Sequence, residues 1–268
     1  MWLLWLATIV LAVAPPPGGW PVPPKEGAVA SVYDGDTLTL GTGDRVRLRW
    51  VNTPELKPAE PFGVEARAAT DAFVGRGKVA LLLGSENPRD SYGRIVAGIQ
   101  TDAGNLSIHL LELGLAHMFV IPPDSTDLTA FFAAQDRARA ARLGIWSTDR
   151  YAGVLHITSF HANAPGDDAT NVDGEYLRIG NISSRAINLK GYSITRADGQ
   201  AFPLPAVTIP AGHTFELHSG TSPDLSDPAA QIELHLGSTT PVWSDAHDRA
   251  TILDPAGAVV DARDSDTH

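Results

Sequence analysis

The sequence predicts a mainly β protein with helices, built as two successive domains. Three observations predict it. Short alternating apolar strands follow a proline-rich opening, helical patterns are inserted among and after them, and beyond Gly153 the helical period gives way to short alternations between Gly, Pro and Asn turns. The first half reads as a small barrel or α+β fold and the second as a β-sandwich. With 268 residues, 43% hydrophobic and 19% charged, the chain can bury two modest cores.

Residues 1–14 are almost wholly apolar, and Ala12-Val13-Ala14 offers small residues for a cleavage site. The run is too short for a comfortable membrane span and fits the apolar core of a signal peptide, although no Lys or Arg precedes it. The expectation is export to the periplasm, the medium or the cell surface, with an uncleaved anchor as the alternative. Residues 15–24 hold six prolines and two glycines, so 15–26 read as a stiff linker.

In the domain expected over 27–150, Ala28–Tyr33 and Thr37–Leu40 flank the turn-like Asp34-Gly35-Asp36. Arg45–Val51 alternates, with Val46, Leu48 and Trp50 on one face and Arg45, Arg47 and Arg49 on the other. Glu65–Val74 is helical up to Gly75, Lys78–Leu83 and Ile95–Gln100 are strands, and Leu106–Leu113 is a helix stopped by Gly114. An Asp124/Ser125 cap predicts a long helix through Arg142. In the domain expected over 151–268, strands fall at Leu155–Phe160, Tyr176–Ile179, Tyr192–Thr195, Thr214–His218, Ala250–Leu253 and Ala258–Val260.

Charge is uneven. Residues 1–150 carry 14 Lys/Arg against 16 Asp/Glu and residues 151–268 carry 6 against 15, for a net −11. Storage-type nucleic-acid binding by a basic surface is therefore disfavoured, and any such contact must be local and metal-assisted. With no cysteine, disulfides, thiolate metal sites and a cysteine nucleophile are excluded. His156, His161, His213, His218, His235 and His247 lack helical pairing and read as surface residues rather than a zinc site. Neither G-x-S-x-G nor a phosphate-binding P-loop occurs.

The chemistry concentrates between Asp34 and Arg94. In extended chain Asp34 and Asp36 share a face, and paired hard oxygens suit Ca²⁺ or Mg²⁺, although Asp-Gly is also a common hairpin turn. Strict alternation would place Arg47 and Asn52 on opposite faces, so they converge only if the strand breaks, for which Thr53-Pro54 is a suitable place. Glu55 follows that turn as a solvated carboxylate or a general base. Arg94, after Asp90-Ser91-Tyr92-Gly93, is a candidate for binding phosphate oxygens and stabilising the extra charge of a pentacoordinate transition state, and Tyr92 for hydrogen bonding or packing on a sugar or base.

The stretch from Ala28 to Trp146 resembles the thermonuclease, or staphylococcal-nuclease-like, family. The resemblance lies in Asp34-Gly35-Asp36-Thr37, Val46-Arg47-Leu48, Thr53-Pro54-Glu55, Asp90-Ser91-Tyr92-Gly93-Arg94, Glu112-Leu113-Gly114-Leu115-Ala116 and Gly144-Ile145-Trp146-Ser147, in that order. It implies an OB-fold barrel that hydrolyses DNA and RNA with Ca²⁺, leaving 3′-phosphates and 5′-hydroxyls. Asp36 and the Thr53 carbonyl are implied metal ligands, Asp34 an outer-shell carboxylate, Arg47 and Arg94 phosphate arginines and Glu55 the base. Asn52 stands where the family pattern has aspartate; its amide oxygen can still ligate Ca²⁺, with one charge fewer. Phe119 falls where tyrosines pack on the nucleotide, and is expected to substitute in part.

The C-terminal half resembles the lamin-tail domain, an immunoglobulin-like sandwich, at Glu175-Tyr176-Leu177-Arg178-Ile179 with Asn181, Asn188-Leu189-Lys190-Gly191-Tyr192, Ile209-Pro210-Ala211-Gly212, Val242-Trp243 and Ala250–Asp261. Such domains attach or bind, and the partner here is unknown. The leading expectation is thus an exported, monomeric Ca²⁺-dependent nuclease with an appended sandwich. The alternatives are an inactive nuclease-fold module binding nucleic acid or protein, and a surface adhesion protein in which the sandwich is the main functional part.

Overall fold

The computed structural model describes residue 16 and residues 20–75, 77–84 and 88–265. The expected signal peptide, 1–14, lies outside the described residues, as do parts of the linker.

The first domain runs β1 (Glu26–Val32), β2 (Thr37–Leu40), β3 (Arg45–Leu48), β4 (Trp50–Asn52), α1 (Gly63–Val74), β5 (Lys78–Leu83), β6 (Ile95–Thr101), β7 (Gly104–Asn105), α2 (Leu106–Glu112), β8 (His117–Phe119) and α3 (Thr129–Ala140). Antiparallel pairs join β3, β2, β1, β5 and β6 in that order, and a parallel β3–β6 pair closes them into a five-stranded OB-like barrel. The alternation that predicts the strands also fills the barrel: Val29, Leu38, Leu40, Val46, Leu48, Val79, Leu81, Ile95, Ala97 and Ile99 are all buried.

Two expectations change. Arg45–Val51 is not one strand. It breaks after Leu48, where Trp50 adopts a left-handed φ of 69° and β4 leaves the barrel to pair with β8. The break lies before Asn52, at Arg49-Trp50 rather than at Thr53-Pro54. Tertiary contacts hold this strained backbone in place: the Trp50 indole packs edge-on against Phe131 at 5.1 Å and donates from Nε1 to Asp124 Oδ2 at 2.7 Å. The same Asp124 oxygen pairs with Arg49 at 2.7 Å. That is why Asp124 does not cap α3, which starts only at Thr129, after Asp127 has accepted the Thr129 amide at 3.0 Å.

The second domain comprises β9 (Leu155–His161), β10 (Tyr176–Asn181), β11 (Ile187–Asn188), β12 (Ser193–Thr195), β13 (Ala201–Pro203), β14 (Thr208–Ile209), β15 (Thr214–His218), β16 (Ile232–His235), β17 (Arg249–Leu253) and β18 (Val259–Asp264). The sheets β16-β15-β10-β9 and β13-β12-β17-β18 face each other across a core of Leu155, Ile157, Phe160, Leu177, Ile179, Ile194, Phe215, Leu217, Leu234, Trp243 and Ile252. This is the immunoglobulin-like sandwich. β11, β13 and β14 are two or three residues long, too short for alternation to reveal them.

The domains meet over a polar and apolar seam. Val120 exchanges backbone hydrogen bonds with Gly212 and Thr214, which joins the end of β8 to the segment that leads into β15 of the sandwich. Arg139 donates to the carbonyls of Ile182, Ala152 and Gly153 at 2.7–3.2 Å. Gln135 accepts the Met118 amide at 2.7 Å and donates to Ile182 at 3.2 Å. Beneath these bonds Ala138, Ile145, Trp146, Tyr151 and Ile182 form a buried cluster that includes residues of both halves. Two histidines expected at the surface are drawn inward: His156, at this seam, is 1% exposed with Nδ1 2.9 Å from Asp261, whereas His235, on β16 within the sandwich, is 7% exposed in its side chain and stacks on His218 at 5.2 Å.

Candidate active site

Asp34-Gly35-Asp36 forms the β1–β2 turn, closed by the Tyr33 amide donating to the Thr37 carbonyl at 2.9 Å. The turn and the chemistry are therefore the same object. Gly35 is required by close approach: a Cβ there would fall 2.7 Å from both the Ala66 methyl on α1 and the Thr53 side chain. That packing buries the flanking carboxylates, leaving Asp34 6% and Asp36 5% exposed.

Asp36 is the hub. Its Oδ2 accepts the amide and hydroxyl of Thr53 at 2.9 and 3.0 Å, and its Oδ1 accepts the Thr37 hydroxyl at 3.2 Å and lies 3.3 Å from Arg47 Nε. Arg47 reaches it because β3 pairs with β2 so that Arg47 faces Thr37. Its guanidinium then wraps the strand break, donating to the carbonyls of Leu48 and Val51 at 2.6 and 2.9 Å and to Asn52 Oδ1 at 2.8 Å. The Phe119 ring, on β8, faces this guanidinium at 5.7 Å.

Glu55 is half-buried just beyond Thr53-Pro54. Its backbone is clamped by Glu60: the Glu55 amide donates to Glu60 Oε2 at 3.0 Å, and the Glu60 amide donates to the Glu55 carbonyl at 2.9 Å. Burial, then the charges of Asp36 and Asp34, push the Glu55 carboxyl up to about 8, with Arg47 opposing. Asp34 is raised to about 6, by burial first and Asp36 second. Three carboxylates thus converge against one nearby guanidinium, an excess of negative charge that suits a cation.

The structure brings together Asp34, Asp36, Arg47, Asn52, Thr53, Glu55 and Phe119. It places Arg94 and Tyr92 in a turn of their own. Asp90 accepts the amides of Tyr92 and Arg94 at 3.0 and 2.9 Å and pairs with Arg94 Nε at 2.7 Å, while the guanidinium lies 5.3 Å from the exposed Tyr92 ring. Arg94 immediately precedes β6, beside the start of β3, and among the described residues forms no ion pair with Asp34, Asp36 or Glu55.

Sequence reasoning missed Glu60, which organises the Glu55 loop. Its partners Arg150 and Arg263 are 90 and 203 residues away, so no local pattern signals it. A second carboxylate group, Asp168, Glu175 and Asp245, gathers within 4.8 Å in the sandwich. There Glu175 accepts the amides of Val242 and Trp243 at 2.8 and 3.3 Å, which fastens a loop across the core.

A closed barrel with a carboxylate–arginine site at its first hairpin, followed by a docked sandwich, defines a nuclease-type domain joined to an immunoglobulin-like module. Comparison with known proteins agrees. Residues 45–148 match the family profile described as Staphylococcal nuclease homologue, and residues 148–266 match the Lamin Tail Domain. The thermonuclease of Staphylococcus intermedius is 33% identical over 125 residues, 44% of this chain and 74% of that protein. Endonuclease YncB and the SPbeta prophage-derived endonuclease YokF of Bacillus subtilis are each 32% identical over 126 residues, 44% of this chain, spanning 60% and 43% of their own lengths. The chain belongs to the staphylococcal nuclease family, with a lamin-tail domain appended.

Proposed function

We propose that the protein is an exported, calcium-dependent nuclease that hydrolyses the phosphodiester bonds of DNA and RNA, leaving 3′-phosphates and 5′-hydroxyls. The observation that carries this reading is the convergence of Asp34, Asp36 and Glu55 around Arg47. Asp36, the Thr53 carbonyl and the Asn52 amide oxygen are the donors for Ca²⁺, with Asp34 behind them, and hard oxygens are what that ion takes. Asp36 already has four hydrogen-bonding or ionic partners, so ligation displaces one. The contacts to Thr37 and Arg47, at 3.2 and 3.3 Å, are the longest and the first to yield.

When bound, the ion polarises a phosphoryl oxygen and offsets the developing charge. Glu55 takes a proton from water as the water oxygen bonds to phosphorus. The bond from phosphorus to the 5′ oxygen breaks, and that oxygen leaves as the hydroxyl by taking a proton from solvent, while Glu55 later returns its own proton to solvent. Arg47 and Arg94 bind the non-bridging oxygens, and Tyr92 and Phe119 pack on the nucleotide. Export rests on the apolar run 1–14. Among the described residues no helix is long and apolar enough to cross a membrane. The sandwich is read as a binding or anchoring module.

The test is digestion of DNA and RNA with Ca²⁺ and with chelator, using the wild type and Glu55→Gln. Cleavage that depends on Ca²⁺ and falls by about 100-fold or more in Glu55→Gln is expected. A wild type that leaves both substrates intact would instead support the binding-module reading.

A further inference from the structure

We infer that the lamin-tail domain is part of the nuclease's active-site scaffold, and that Arg263 is a positioning residue that holds the Glu55 loop through Glu60. The inference rests on the reading of Glu55 as the base. The Glu60 carboxylate has a divided task. Its Oε2 accepts the Glu55 amide at 3.0 Å, while its Oε1 receives Arg150 Nη2 at 2.8 Å and Arg263 Nη1 at 3.2 Å. Arg150 belongs to the junction between the domains and Arg263 to β18, in the last sheet of the sandwich. One carboxylate therefore collects a cation from the junction, a cation from the far domain and the backbone of the candidate base.

The chain 203 residues downstream is needed for physical reasons. The side chains of Glu60 and Arg263 are each only 8% exposed, whereas that of Arg150 is 28% exposed. A carboxylate so buried requires a buried counter-charge, and Arg263 supplies it. Arg263 is itself anchored, with Nη1 3.4 Å from the Ile157 carbonyl in the opposite sheet of the sandwich. The loop it steadies has little slack. Glu60 and Glu55 bond reciprocally, and Gly63, at the start of α1, lies so close that a Cβ there would fall 2.7 Å from the Glu55 carbonyl oxygen. A shift of Glu60 is thus passed to Glu55 rather than absorbed, and small misplacements of a catalytic group are costly.

An ion pair that only glued the domains would leave the Glu55 loop indifferent. The seam already has the Val120 strand pairing, Arg139 and Gln135 for adhesion. The involvement of the Glu55 amide separates the two roles.

The test uses the full chain with Arg263→Met and, as the milder change, Arg263→Lys, each compared with the wild type at a temperature well below thermal unfolding. Two readouts are taken: amide hydrogen exchange of residues 54–63, and the separate kcat and KM for nucleic-acid cleavage. In Arg263→Met, exchange of the loop is expected to quicken by about tenfold and kcat to fall by about tenfold with KM unchanged, Arg263→Lys recovering part of both. If Arg263→Met does not fold, the same comparison is read from Arg263→Lys, with a smaller change in the same direction. Unchanged loop exchange in a folded variant overturns the inference, as does quicker exchange with wild-type kcat. If the wild type itself does not cut, the nuclease reading falls, and loop exchange alone decides whether Arg263 positions Glu55.

Discussion

Arg47 donates a hydrogen bond to the side-chain oxygen of Asn52 at 2.8 Å, although strict strand alternation would put the two on opposite faces. The kink at Trp50 turns the chain between them, and the arginine then bonds to the carbonyls of Leu48 and Val51 that the kink exposes. An amide rather than a carboxylate at position 52 has a direct consequence. Asn52→Asp adds a charge to the candidate Ca²⁺ site and should tighten Ca²⁺ binding by about tenfold. Isothermal calorimetry on the two proteins measures it, and equal affinities would remove Asn52 from the ligands.

Arg47 has a structural task as well as a candidate chemical one. Lysine keeps the charge but cannot reach the carbonyls of Leu48 and Val51, the Asn52 oxygen and Asp36 together. Arg47→Lys should therefore lower stability by roughly 1–3 kcal/mol in denaturant unfolding and cut activity by about 100-fold. A variant as stable as the wild type would show that the guanidinium bonds contribute little to the strand break.

Calcium binding should release protons. Without a cation, Glu55 is pushed up to about 8 and Asp34 to about 6, both by burial first and neighbouring carboxylates second. A cation beside Asp36 favours the ionised forms, so both values fall and apparent Ca²⁺ affinity rises with pH through this window. Calorimetry near pH 7 in two buffers of different ionisation heat reads the proton count. Glu55→Gln should lose most of it, and a binding heat independent of buffer in the wild type would contradict the assignment.

His117 should make the fold acid-sensitive. It is fully buried beside His156, and burial first, then that neighbour, lower it to about 3. The unfolded chain takes up this proton below its ordinary value of 6.5 while the folded chain does not. The contribution is therefore complete above that pH and is lost as pH falls from it towards 3, with a limiting slope of about 1.4 kcal/mol per pH unit. Glu55 and Asp34, raised by folding, act in the opposite sense, so the quantity to measure is the difference between wild type and His117→Gln. That difference should shift in favour of the variant on acidification; a pH-independent difference would refute it.

Much of the barrel was legible because strand alternation and turn chemistry are encoded within a few residues. Thr37–Leu40 and Lys78–Leu83 occur as expected, and Ile95–Thr101 differs by one residue. The family motifs were legible for the same reason, since each is a local string. The kink at Trp50 was not, because alternation runs through it unbroken and the contacts that hold it come from Asp124 and Phe131. Asp124 has the local pattern of a helix cap, but Arg49 and Trp50, more than 70 residues away, claim its carboxylate.

By itself, then, the sequence determined the two kinds of domain, the family of the first, and which carboxylates and arginines were available for chemistry. Tertiary structure alone decided which of them meet. Asp36 and Thr53, 17 residues apart, are joined by barrel closure and by Gly35 packing on α1. Glu60, Arg150 and Arg263 are joined by the docking of the sandwich. The physical reason is range. Secondary structure follows from steric and solvation preferences of neighbouring residues, whereas the pairing of buried charges depends on which distant surfaces exclude water together.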